Sequence, residues 1–179
     1  MTTMARRLDH VSVTVADVER SLRFYRGPLK IPVLGRGEDE GPPVRGSGGV
    51  TRSRFRYADL ELGGGQILEL LQYLRPKRGA VHSTPYAPGG GHLGIRVADL
   101  DAALRRLRAA GVLPRFDPIQ VDAPTWWAGA RVVYVADPDG TTVELVERPG
   151  PPRSRLRREK AARGSRSRRK HSARVVRAP

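Results

Sequence analysis

The sequence predicts an α+β protein made of two βαβββ modules. Three observations carry that reading. The stretch LDHVSVTVADVERSLRFY at 8–25 lies over GHLGIRVADLDAALRRL at 91–107 at an offset of 82, which places His10 on His92, Asp17 on Asp99 and Leu22 on Leu104. The stretch QILELL at 66–71 lies over TTVELV at 141–146 at an offset of 75, which places Glu69 on Glu144. Within each copy the apolar period changes from two to 3.6, separating a strand from a helix. Two copies of a unit of about 60–70 residues make two similar modules rather than a solenoid.

The first strand of each copy follows from alternation. Val11, Val13 and Val15 alternate with His10, Ser12 and Thr14, as Leu93, Ile95 and Val97 do with His92, Gly94 and Arg96. Such alternation marks a strand with one apolar face. In the helices, Val18, Ser21, Leu22 and Tyr25 fall at i, i+3, i+4 and i+7, as do Leu100, Ala103, Leu104 and Leu107. Asp17 and Asp99 stand at N-cap positions, and Gly27-Pro28 and Gly111 mark the helix ends. Three strands then complete each copy, expected near 31–34, 55–62 and 66–72, and near 113–116, 131–136 and 141–147. Gly63-Gly64-Gly65 and Asp137-Pro138-Asp139-Gly140 supply the tight turns. The smaller second offset makes the first copy longer in its loops, and the Gly/Pro/charge stretch at 35–49 is the expected loop.

The charge divides the chain. Of the net +15 on 179 residues, the segment 151–179 carries +11, with twelve Arg and Lys against Glu159, and 1–150 carries +4. A body at 1–150 is expected, with modules at about 7–75 and 90–148, followed by a basic tail at 151–179. The tail holds few large apolar side chains beyond Leu156, Val175 and Val176, too few to offset its ordering entropy, so it is expected to be disordered. Non-specific nucleic-acid contact is open to it, but it has no interleaved aromatics for base stacking. Arg outnumbers Lys 29 to 4 along the whole chain, the skew that GC-rich coding produces, so a solvated extension is favoured. With no Cys, disulfides, thiolate nucleophiles and Cys-ligated metals are excluded. No apolar run is long enough for a membrane span, and 1–8 lacks the apolar core of a secretory leader. A cytoplasmic protein is the expectation.

Alternation also places the chemistry. The valines of the first strand face the helix, so His10 and its repeat His92 face away from it. Leu68 and Leu70, and Val143 and Leu145, form one face of the last strands, so Glu69 and Glu144 point to the other. If the two sheets curve towards each other, these four residues meet in one open-sided cup. Two imidazoles and two carboxylates suit one divalent ion of Mn, Fe, Co, Ni or Zn, with positions left for a small-molecule substrate. The same residue type at the same point of both copies favours ligation over isolated polar residues.

These stretches, with LELLQ and DPDGTTVELVE, resemble the vicinal oxygen chelate superfamily, the glyoxalase I / bleomycin resistance / extradiol dioxygenase group, over about 7–148. The resemblance implies a curved, cup-like mixed sheet with helices outside, and His10, Glu69, His92 and Glu144 as metal ligands. It implies a glyoxalase-like lyase, isomerase or epimerase, in which a base removes a proton next to a carbonyl that the metal holds. Glu144 or Glu69 is the base, with Glu144 favoured. The resemblance also implies a homodimer, with ligands drawn from one chain or two.

Two alternatives follow from the same resemblance. An extradiol-type dioxygenase uses two His and one carboxylate on iron, so Glu69 would occupy an open position. The further His that would help that chemistry is His82, in a Gly/Pro-rich loop. A non-enzymatic antibiotic-binding protein would need no full ligand set. One of Trp126 and Trp127 is expected to face inward, and Trp127 and Arg96 are candidate substrate contacts, with Tyr86 in a loop over the site.

Overall fold

Each repeat folds into a four-stranded mixed sheet carrying one helix. The structure, a computed structural model, describes residues 7–46, 49–77, 79, 84–122 and 126–149, with 43–46 and 49–51 as backbone only. Module one comprises β1 (His10–Thr14), α1 (Val18–Tyr25), β2 (Val33–Gly46), β3 (Gly49–Gly63) and β4 (Gln66–Arg75). Module two comprises β5 (Leu93–Val97), α2 (Leu100–Ala109), β6 (Ile119–Gln120), β7 (Arg131–Ala136) and β8 (Thr142–Glu147). The strand orders are β1-β4-β3-β2 and β5-β8-β7-β6. β1 pairs parallel with β4 and β5 with β8, while the remaining pairs are antiparallel. A compact unit spans Met1–Arg148.

The helices start and stop where their side chains dictate. Asp17 accepts a hydrogen bond from Arg20 N and Asp99 from Ala102 N, both at 2.8 Å. The last strand of each module reaches across to the same helix end: Gln72 Oε1 accepts from Val18 N at 3.2 Å and Glu147 Oε2 from Leu100 N at 2.8 Å. Gly111, at φ +77°, takes the left-handed conformation that ends α2. With eight residues, α1 is too short to persist alone. Its buried face of Val18, Leu22, Phe24 and Tyr25 holds it, packed with Ala58, Leu60, Leu68 and Leu70. The equivalent faces of module two, from Ile95, Leu100, Leu104, Leu107, Val133, Val135, Val143 and Leu145, belong to the same continuous core.

Three strand expectations need correction. The stretch 35–49 is not a loop over most of its length, because β2 runs on to Gly46 and pairs with β3 from Gly49. Glu38 pairs with Arg54 and Arg56, and the rings of Tyr57 and Phe55 lie against Gly37 and Gly41, where a Cβ would come within 3.0 Å and 2.8 Å of them. Cross-strand charge and aromatic cover thus sustain a ladder that the glycines alone would weaken. Residues 113–116 form no strand. Pro114 removes a donor there, one bond from Arg115 N to Tyr134 O at 2.8 Å remains, and pairing resumes only at Ile119–Gln120. β4 extends to Arg75, beyond the expected 72. The basic tail and His82 lie outside the described residues.

The modules are joined through α1. Tyr25 OH donates to Asp137 Oδ2 at 3.0 Å, and Arg20 pairs with Asp139, which also accepts from Ala16 N at 3.1 Å. Asp137 organises its own turn, taking Asp139 N at 2.9 Å and Thr141 N at 2.8 Å on Oδ1.

Candidate functional site

The register settles which side chains share a face. Ser12 sits opposite Glu69 on β4, and Asp59 of β3 sits opposite Glu69 on its other side. His10 is two residues from Ser12 and shares its face. The open face of module one therefore carries His10, Ser12, Asp59 and Glu69, beside half-buried Phe55, Tyr57 and Tyr73. Phe55 lies 6.4 Å from Tyr57 and 5.9 Å from Tyr73, ring centre to ring centre. Ser12 Oγ donates to Glu69 Oε2. His10 Nδ1 contacts Asp9 Oδ2 at 3.1 Å, which raises the imidazole pKa and leaves Nε2 for another partner.

Module two repeats the frame with other neighbours. Gly94 and Tyr134 flank Glu144 in register, at the places held by Ser12 and Asp59. His92 Nε2 lies 3.2 Å from Glu144 Oε2, and its ring centre is 5.4 Å from that of Tyr134. Glu144 is 4% exposed, the more buried of the two repeated carboxylates. Tyr134 has a raised pKa, through burial first and then the charge of Glu144.

Trp127 packs on Ala130, Val132 and Val146, the last two on the Glu144 face, while Trp126 is turned outward at 74% exposure. The two rings are 4.9 Å apart, and the Arg148 guanidinium stands 4.2 Å over Trp126. Arg96 is exposed on the His92 face, opposite Val146. Tyr86 is also exposed.

Each sheet thus brings one predicted His–Glu pair to one face, but the four do not meet within the chain. Among the described residues no three His, Asp or Glu form a group able to hold a metal. The helix-side residues of both sheets belong to one continuous buried cluster, and the His and Glu side chains lie on the opposite faces. The sequence left the donor set to come from one chain or two, and the described residues of one chain do not gather three of the four. The donor chemistry of each half still suits a divalent ion: a His with a free ring nitrogen or a His already beside a carboxylate, with carboxylate partners around both.

Asp59, Ser12 and Tyr134 were not singled out from sequence. Asp59 had a signal: Tyr57, Asp59 and Glu61 alternate with Ala58, Leu60 and Leu62, which puts Asp59 on the Glu69 face. Burial raises its pKa, as does the charge of Glu69, while His10 lowers it.

Comparison with known proteins now bears on this arrangement. The model of the Glyoxalase/Bleomycin resistance protein/Dioxygenase superfamily matches residues 7–145. The chain is 35% identical over 151 residues to 2-epi-5-epi-valiolone epimerase from Actinomyces sp, covering 78% of each chain. It is 25% identical over 150 residues to a probable lactoylglutathione lyase from Vibrio cholerae, covering 79% of this chain and 90% of that one. A solved glyoxalase family protein from Bacillus cereus superposes with a TM-score of 0.65 at 22% identity, over 83% of this chain and 97% of that one, a likeness of fold.

Proposed function

The chain belongs to the Glyoxalase/Bleomycin resistance protein/Dioxygenase superfamily, and on that premise we propose that it is a metal-dependent lyase, isomerase or epimerase acting on a small oxygenated substrate. The observation that carries the reading is the His–Glu pair repeated on the same face of each sheet. His10 and Glu69 of one copy would hold the ion together with His92 and Glu144 of a second copy, in a homodimer with two such sites. This arrangement reconciles a complete donor set with two half-sites that stay apart in one chain. The metal would supply positive charge to an oxygen that becomes anionic during the reaction.

The chain's own groups do the rest. Glu144 takes a proton from the carbon next to the substrate carbonyl, and the bonding electrons move to the carbonyl oxygen. In an isomerisation Glu144 returns the proton to the neighbouring carbon as the electrons come back from oxygen; in an epimerisation a second acid or water on the opposite face supplies a proton to the same carbon, and Glu144 gives its own up to solvent. The 35% identical epimerase supports the first outcome. Trp127 and Arg96 flank the Glu144 face, Trp127 as apolar wall and Arg96 as partner for an anionic or hydroxyl group.

Metal analysis, with titration calorimetry after chelation, tests the reading. The His10→Ala/Glu69→Ala and His92→Ala/Glu144→Ala double variants should each lose metal binding. An equimolar mixture, after subunit exchange, should regain about a quarter of the sites, because half of the dimers then carry one intact site. Metal affinity unaltered in both variants would overturn the reading. Loss without recovery in an exchanging mixture would overturn its two-chain form.

A further inference from the structure

The two half-sites differ at one repeated position, and the difference bears on how each carboxylate is held. Ser12 and Gly94 are equivalent in the repeat, and each stands opposite its Glu on the neighbouring strand. In module one the hydroxyl donates to Glu69 Oε2, and Glu69 Oε1 has no hydrogen bond among the described residues. In module two there is no hydroxyl to give. A Cβ at Gly94 would lie 3.7 Å from Glu144 Oε2, an ordinary contact, so space for a larger residue exists there. The glycine therefore does not answer a packing need, and Glu144 has His92 and Tyr134 as polar neighbours instead of a serine hydroxyl.

We propose that Ser12 is a positioning residue that fixes Glu69 as a metal-facing carboxylate, a support that Glu144 does not receive from Gly94 at the equivalent position. The inference rests on the reading of Glu69 as a metal ligand. A hydroxyl bonded to one carboxylate oxygen confines that side chain to one rotamer and presents the other oxygen without a search. Ser12 is exposed on a strand whose other face is packed, so replacing it leaves the core untouched. Ser12 touches Glu69 rather than the reacting atoms, and its effect passes through the ligand.

The test is the metal affinity of the purified dimer, measured by titration with nickel or cobalt after chelation. Ser12→Ala should weaken binding about tenfold, within the range for a group that supports a ligand. Ser12→Thr, which keeps the hydroxyl, should restore it, and the melting temperature of the metal-free protein should not move. Glu69→Ala serves as the control that separates the two readings. If Glu69→Ala loses metal and Ser12→Ala does not, the role of Ser12 is overturned and the ligand reading stands. If neither variant changes affinity, the ligand reading itself fails.

Discussion

Modules one and two share a backbone frame and differ in what they place around it. Both present a Glu at a matching register point of a parallel strand pair, with a His at the first residue of β1 or immediately before β5. In module one the Glu lies between a serine and an aspartate, beside an exposed His that leans on Asp9. In module two it lies between a glycine and a tyrosine, is nearly buried, and touches its His directly. Alternation fixes the face on which a side chain stands, whereas its freedom is set by residues on adjacent strands. A duplicated fold can therefore surround two equivalent carboxylates with different neighbours while keeping their place in the sheet.

The largest predicted effect tests that difference directly. Glu144→Gln should lower turnover by about a thousandfold, within the range for loss of a positioned proton acceptor, while reducing metal affinity less than Glu69→Gln does. The opposite order, with Glu69→Gln sparing metal and Glu144→Gln sparing turnover, would exchange the two roles. Steady-state kinetics together with metal titration on both variants decide it.

Much of this frame was legible in the sequence, for identifiable reasons. Strand faces, both N-caps and the His–Glu pairs follow from period two, period 3.6 and capping chemistry, which act between near neighbours. The arm formed by β2 and β3 was not legible, because its stability comes from Glu38 against Arg54 and Arg56 and from Tyr57 over Gly37, all pairings across strands. The strand expected at 113–116 does not form, because Pro114 has no N–H to give a ladder. The separation of the two half-sites was hidden for another reason. Alternation says which face a side chain occupies and is silent on how two sheets pack against each other.

The next two predictions probe how the modules are joined and how module two closes its own face. Asp137 accepts two backbone N–H groups and the Tyr25 hydroxyl from inside the structure, where it is 5% exposed. Asp137→Ala should cost about 3 kcal/mol in denaturant unfolding, since it leaves the buried Tyr25 hydroxyl and two half-buried backbone N–H groups without their partner. A cost below about 1 kcal/mol would show that the turn and α1 do not depend on it. Trp127→Ala should cost about 2 kcal/mol through lost packing on Val132 and Val146. Trp126→Ala, outside that cluster, should fall within about 0.5 kcal/mol. Equal costs for the two tryptophans would remove the distinction between an inward and an outward ring.

The smallest effect concerns the same junction and has a pH signature. The Tyr25 pKa is pushed far above its ordinary value of 10.0, by burial first and then by the charge of Asp137. The folded protein therefore favours the protonated phenol, whose O–H makes the bond. A group with a raised folded pKa contributes its full stability below the unfolded value and loses it as pH rises. Stability should accordingly hold steady up to about pH 10 and then fall, because only the unfolded chain releases the proton. Tyr25→Phe should cost about 1 kcal/mol at neutral pH and should flatten that alkaline decline. Parallel declines in the two proteins between about pH 9 and pH 11 would assign the alkaline loss to other groups and leave the Tyr25–Asp137 bond a packing contact without titration linkage.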